Sequence, residues 1–135
     1  MRRLVAAAQV GELATVGADG RPHVVPVCFV LVGDTIYSAV DHKPKTTHRL
    51  RRVRNLLETG HAAVLVHHYE ADWSRLWWVR MDGVGRVVEG DAEVSRVLAG
   101  LGGKYPQYVD RPPRGPVLGV DVTDWSAWPS VIAPR

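Results

Sequence analysis

Residues 41–54 read DHKPKTTHRLRRVR, a run of cations and hydroxyls that follows an apolar stretch. Residues 46–59 fit an amphipathic helix: Thr46 and Thr47 open it, Leu50, Val53 and Leu57 recur at helical spacing, and Gly60 stops it. On that helix Lys45, Arg49 and Arg52 fall within about 60° of one another. A charged outer face explains Arg51 and Arg54. It does not explain Lys43 and Lys45, which precede the first turn, where the helix dipole is already positive. Ammonium groups beside unpaired backbone N–H groups and threonine hydroxyls form a phosphate cradle. The unfavourable placement points to anion binding.

Other chemistries find little support. Cys28 is the only cysteine and lies in VPVCFVLV, which reads as a core thiol on a strand. No G-x-S-x-G pattern is present. His67 and His68 are adjacent, so on a strand they point to opposite faces, and neither paired cysteines nor H-E-x-x-H accompanies them. No metal site is expected. GLGGKY sits at a helix end, the wrong place for a phosphate loop. The net charge of +3 and pI near 9.4 are compatible with nucleic acid. Yet the basic helix is embedded between strands, with no reading helix or stacking aromatics beside it, so a small phosphorylated ligand is favoured over nucleic acid. No apolar run reaches the ~18 residues that span a bilayer, and the cysteine usage suits a reducing cytoplasm.

The elements that position these residues are mostly strands. The 135 residues suit one domain, 1–135. After a short N-terminal helix, residues 12–40 read as three strands: ELATVG, an ADG turn, RPHVVPVCFVL, a VGD turn, then TIYSAV. Both faces of the second strand are apolar, which requires a helix or a second subunit to cover it. Pro26 gives no donor to a sheet ladder and so marks an edge, a bulge or a place where a ligand nears the backbone. HAAVLVHHY and RLWWVRMDGVGRVVEG follow as strands, the latter with Trp78, Arg80, Asp82 and Arg86 on a mixed face. A second helix, capped by Asp91, runs to Gly102 and Gly103. PVLGVDVTD reads as a long strand and WSAWPSVI as a separate terminal one. The pattern implies a mainly β protein, a closed or nearly closed antiparallel barrel with inserted helices.

Three stretches, ELATVGADGRPHVVPVCF, HKPKTTHRLRRVRN and DWSRLWWVRMDGVGRVV, resemble the pyridoxamine 5'-phosphate oxidase-like split-barrel family over about residues 10–125. The L-A-T-x-x-x-D-G-x-P opening and the later V-P-V are similar to the superfamily's pattern, and the K-P-K-T motif before the helix resembles its branch that uses the deazaflavin coenzyme F420. That resemblance implies a six-stranded split β-barrel, homodimeric, with two cofactor sites at the subunit interface. It implies that Lys43, Lys45 and Thr46, with Pro44 between them in the motif, hold the cofactor phosphate, with Arg49 close by. The backbone at Pro26 and Val27 would run along the ring system. Trp78 and Arg80 would pack on the cofactor, including the one in the partner's site; a core role for Trp77 and an Arg80–Asp82 ion pair are the structural alternatives. FMN-using members carry an arginine ahead of an LLK-like run and a basic S-x-K segment, neither of which is clear here, so FMN is the lesser candidate. The implied activity is hydride transfer between reduced deazaflavin and an unsaturated organic substrate, with a non-catalytic flavin-, deazaflavin- or haem-binding protein as the alternative. No catalytic side chain is assigned, because the cofactor carries the chemistry.

Overall fold

The computed structural model describes residues 1–41 and 50–129. Lys43, Pro44, Lys45, Thr46 and Arg49 therefore lie outside the described residues, as does the end of the expected terminal strand from Ser130 onward.

Helix α1 (Arg2–Ala7) leads into strands β1 (Gly11–Val16), β2 (Pro22–Val27), β3 (Val30–Val32) and β4 (Thr35–Ala39). Helix α2 (Arg51–Glu58) precedes β5 (His61–His68), a 3-10 turn (Trp73–Arg75) and β6 (Trp77–Val88). Helices α3 (Asp91–Lys104) and α4 (Gln107–Asp110) lie before the last strand, β7 (Val117–Trp128). The seven strands form one sheet in the order β2-β1-β5-β6-β7-β4-β3, and every pairing is antiparallel.

That order, with its chain connections, forces the sheet to curl. Laid flat, its outermost strands would stand about 29 Å apart. Yet β2 and β3 are those outermost strands, and only Cys28 and Phe29 join them. Val27 and Val30 can be at most ~11 Å apart along the chain, so the two edges must come together. Phe29 is fully buried at this closure. Tyr105 at the end of α3 fixes it: its hydroxyl accepts from Phe29 N–H at 3.0 Å and lies 2.8 Å from the Gln9 carbonyl oxygen. Lys104 Nζ donates to the Phe29 carbonyl at 2.9 Å and stands 3.8 Å from the Phe29 ring centroid.

Five expectations are corrected. The count is seven strands rather than six. The expected single strand RPHVVPVCFVL is two, because barrel closure breaks it at Cys28–Phe29, and Cys28 is half-buried outside any strand. The final strand runs unbroken from Val117 to Trp128, its apparent interruption being a bulge at Thr123. Asp82 pairs with Asp124 and Gly83 with Val122; Thr123, left over, donates its hydroxyl to the Asp82 carbonyl at 3.2 Å. Finally, α2 begins at Arg51 with Leu50 as its N-cap, and α3 follows Gly90, with Asp91 inside its first turn rather than capping it.

One core fills the concave side, with Leu13, Val64, Val66, Val79 and Met81 at its centre and Val5 of α1 plugging one end. A second core lies outside the sheet, where α3 lays Val97, Leu101 and Tyr105 over Tyr37, Val88 and Val117. β4 and the first third of β7 are thus buried on both faces. The outer face of β2, β1, β5 and the first part of β6 has no such cover among the described residues.

Candidate functional site

Strand alternation and antiparallel register set out the side chains of that uncovered face in rows. One row runs Val24, Ala14, Ala63, Asp82 from β2 through β1 and β5 to β6. The next runs Pro26, Glu12, Leu65, Arg80. Beyond it His67 faces Trp78, which in turn faces Trp128. Two alanines side by side make a depression, and the indoles at one end make a wall. The result is an open, largely apolar groove of ≈ 770 Å³, which Tyr69, Leu76 and Trp77 also line.

Its few polar groups are paired. Arg80 Nε donates to Asp82 Oδ2 at 3.2 Å, while its guanidinium carbon lies 6.0 Å from the Trp78 ring centroid. His67 Nε2 stands 3.7 Å from Glu12 Oε1. At the groove's end Glu70 pairs with both His68 and Arg75. Among the described residues no cluster of three or more His, Cys, Asp and Glu could hold a metal ion.

Of the expected ligand contacts, Pro26, Trp78 and Arg80 share this outer face, with Pro26 and Arg80 on one row about 14 Å apart by strand spacing. Pro26 is on the outermost strand, where its missing donor costs no ladder bond. Val27 faces inward and packs against the core, so only its backbone is available. Trp77 packs against the core and also borders the groove, and the Arg80–Asp82 pair is formed, so both structural alternatives hold alongside the groove role. Glu12, Leu65, His67 and Trp128 belong to the groove too. Sequence reading did not single out Glu12 or Trp128, whose signal, two-residue alternation, needs the register to become a site.

The described flanks of the basic stretch lie toward the other end of β6 from Trp78. They are fixed: Val40 N–H donates to the Pro116 carbonyl at 2.9 Å, and Leu50 sits in a small apolar cleft beside Val53, Val87 and Pro116. Val87 is nine residues along β6 from Trp78, about 30 Å of extended strand. At this pole α2 begins with no side-chain cap and no acidic residue in its first turn. Arg51 pairs with Asp19 at 3.5 Å, and burial pulls the Arg52 guanidinium below its ordinary pKa, partly offset by Asp41. Nearby, burial, then Asp41 and Cys28, push the Tyr108 phenol well above its usual range. The start of α2 therefore keeps its positive dipole end without an acidic side chain in its first turn, as an anion site requires.

No curated protein matches the chain. Solved structures do match. The heme storage protein HutZ from Vibrio cholerae is 21% identical with a TM-score of 0.72, the match covering 94% of this chain and 89% of that one. A FAD-binding protein from Mesorhizobium loti is 16% identical, TM-score 0.70, over 93% and 89% of the two chains. A conserved hypothetical protein, Rv2991 from Mycobacterium tuberculosis, is 20% identical, TM-score 0.75, over 98% and 86%. At these identities the likeness establishes the fold. The family profile described as pyridoxamine 5'-phosphate oxidase matches residues 1–129, and the chain belongs to that family.

Proposed function

We propose that the protein is a cytoplasmic, homodimeric F420-dependent oxidoreductase that moves a hydride between the reduced deazaflavin and an unsaturated organic acceptor. The observation that supports this reading is the open groove at one end of β6, with the described flank of the basic stretch at the other. Leu50, the described flank of the basic stretch, sits beside Val87, nine residues of β6 and about 30 Å of extended strand from Trp78. The groove is also an apolar, aromatic-walled surface left open in the single chain, of the kind that marks an interaction site. A second copy laid against it resolves both facts: one chain's Lys43, Lys45, Thr46 and Arg49 hold the phosphate, and its partner's Trp78 and Arg80 pack on the ring.

The described residues fit such a group. A shallow apolar floor of Ala14 and Ala63 accepts a planar ring, and Arg80, held by Asp82, leaves its terminal nitrogens for a carbonyl or an anion. The deazaflavin supplies the hydride; the chain orients it and keeps water out.

The test is a parallel fluorescence titration with F420 and FMN. Lys43→Ala with Lys45→Ala removes two charge-assisted contacts of about 1.5–3 kcal/mol each, so F420 affinity is expected to fall at least about 100-fold. An unchanged affinity would remove the phosphate assignment.

A non-catalytic haem or flavin binder is the second reading, favoured by His67 and His68 at the groove. The heme storage and FAD-binding proteins among the structural neighbours support it equally. A Soret band that appears on adding haem to the parent and is lost in His67→Ala with His68→Ala would decide for it.

A further inference from the structure

Glu12 and His67 are an oddity in this groove. The strands around them present alanine, leucine, valine and tryptophan, yet these two adjoining strands place a carboxylate and an imidazole together, their side chains 33% and 48% exposed. If a second chain covers the groove, both lose water. Desolvating an ionisable pair is costly, and an apolar pair of similar volume would serve a plain interface at least as well. A pair beside Trp78 in a covered, apolar groove is where proton transfer needs one.

We propose that His67 is the proton donor to the acceptor and that Glu12 is the positioning residue that holds its ring. This rests on the oxidoreductase reading. With Nε2 3.7 Å from Glu12 Oε1, Nδ1 is the nitrogen left to give a proton. Cross-strand pairing sets His67 directly opposite Trp78, so a proton released there arrives beside the ring-binding wall. The other charged groups near the imidazole are Arg80 on β6, already paired with Asp82, and His68 and Glu70 at the groove's end, paired with each other. Glu12 is thus the one carboxylate within ion-pair distance of His67 among the described residues.

The chemistry balances as follows. Reduction of a carbon–carbon double bond conjugated to a carbonyl takes a hydride and a proton. The hydride, with its electron pair, leaves the reduced deazaflavin and becomes a C–H bond at the β-carbon. The former π pair at the α-carbon takes the proton from Nδ1 of His67, breaking that N–H bond. Water then reprotonates the imidazole. A conjugated carbonyl compound is the acceptor class that needs such a donor, and the groove of ≈ 770 Å³ has room for a small one.

Three variants test this, with cyclohexenone as the acceptor. His67→Gln keeps the size of the side chain and is expected to cut turnover by about 100-fold or more, with F420 affinity in fluorescence titration within about twofold of the parent. His67→Ala should regain turnover when imidazole is added. Glu12→Gln should lower turnover by about tenfold and change the pH–rate profile, which a merely structural contact would not do. In D₂O the parent should deliver deuterium to one face of the α-carbon, and His67→Gln to both. Parental turnover and stereochemistry in His67→Gln would overturn the assignment while leaving the cofactor reading intact. A parent that binds no F420 would overturn both.

Discussion

Among the described residues, Arg86 makes four side-chain hydrogen bonds to two carboxylates. Its two terminal nitrogens reach both oxygens of Glu93 at 3.0 and 2.7 Å, and Nε reaches Asp121 at 2.8 Å. Tyr37 donates to Glu93 at 2.6 Å and Thr35 to Asp121 at 2.8 Å, so one guanidinium joins β4, β6, β7 and the first turn of α3. The Arg86 hydrogen bonds, then that of Tyr37, hold the Glu93 carboxyl down at about 2. The same guanidinium lowers Asp121. Because the folded pKa of Glu93 lies below its unfolded value, its contribution is complete above the ordinary glutamate range and drains away as pH falls toward 2. Glu93→Gln should therefore lower Tm at pH 7 and flatten the loss of Tm between about pH 5 and pH 2, with Asp121 keeping the residual slope. A Tm–pH curve parallel to that of the parent would show that the network adds nothing. Sequence reading placed Arg86 on a mixed face but gave no partner for it. Alternation fixes which way a side chain points, whereas partners 35 residues away depend on register.

At the scale of elements, glycine spacing records how closely strands and helices approach. A Cβ at Gly83 would fall 2.1 Å from the Asp121 carbonyl oxygen, against backbone that the bulge at Thr123 has locked in place. A Cβ at Gly103 would meet nothing within 4 Å, although it too lies in a regular element. Gly83→Ala is thus expected to cost at least about 2 kcal/mol in urea unfolding, while Gly103→Ala should stabilise the last turn of α3 by roughly 0.5 kcal/mol. Equal effects would mean that the bulge yields to a methyl group. Most elements were legible from local pattern: the ADG hairpin, the stop at Gly60, both main helices and the long strand of β6. What escaped was set from outside the element. Pro26 marks an edge or a bulge, but nothing in the VCFVL after it marks a break at Cys28–Phe29; the break exists because the two ends of the sheet must meet. In the same way, threonines at 46–47 read as a helix start, but Leu50 takes the N-cap, extended at ψ 148°, where it fills the cleft by Val87.

For the whole molecule, sequence pattern foresaw that β2 was too apolar for a lone sheet, and the fold locates the uncovered region: Val24 is 59% and Trp128 48% exposed on the same outer face. It could not tell how far the flank of the basic stretch stands from the tryptophans, because Leu50 and Trp78 are set apart only once β6 is laid between them. That distance yields an experiment that separates a shared site from a private one. Lys43→Ala with Lys45→Ala disables the phosphate grip and leaves the groove. Trp78→Ala with Arg80→Ala disables the groove and leaves the grip. Each variant alone should bind F420 weakly. If a site joins the grip of one chain to the groove of its partner, a mixed dimer holds one fully intact site and one doubly damaged one. Random exchange of equal amounts makes about half the dimers mixed, so about a quarter of the sites should regain parental affinity. A private site gives no such return, since every site in every dimer then carries one defect. The stoichiometry of the tight phase in the F420 titration reads this directly, and a mixture no better than its components would end the two-chain reading.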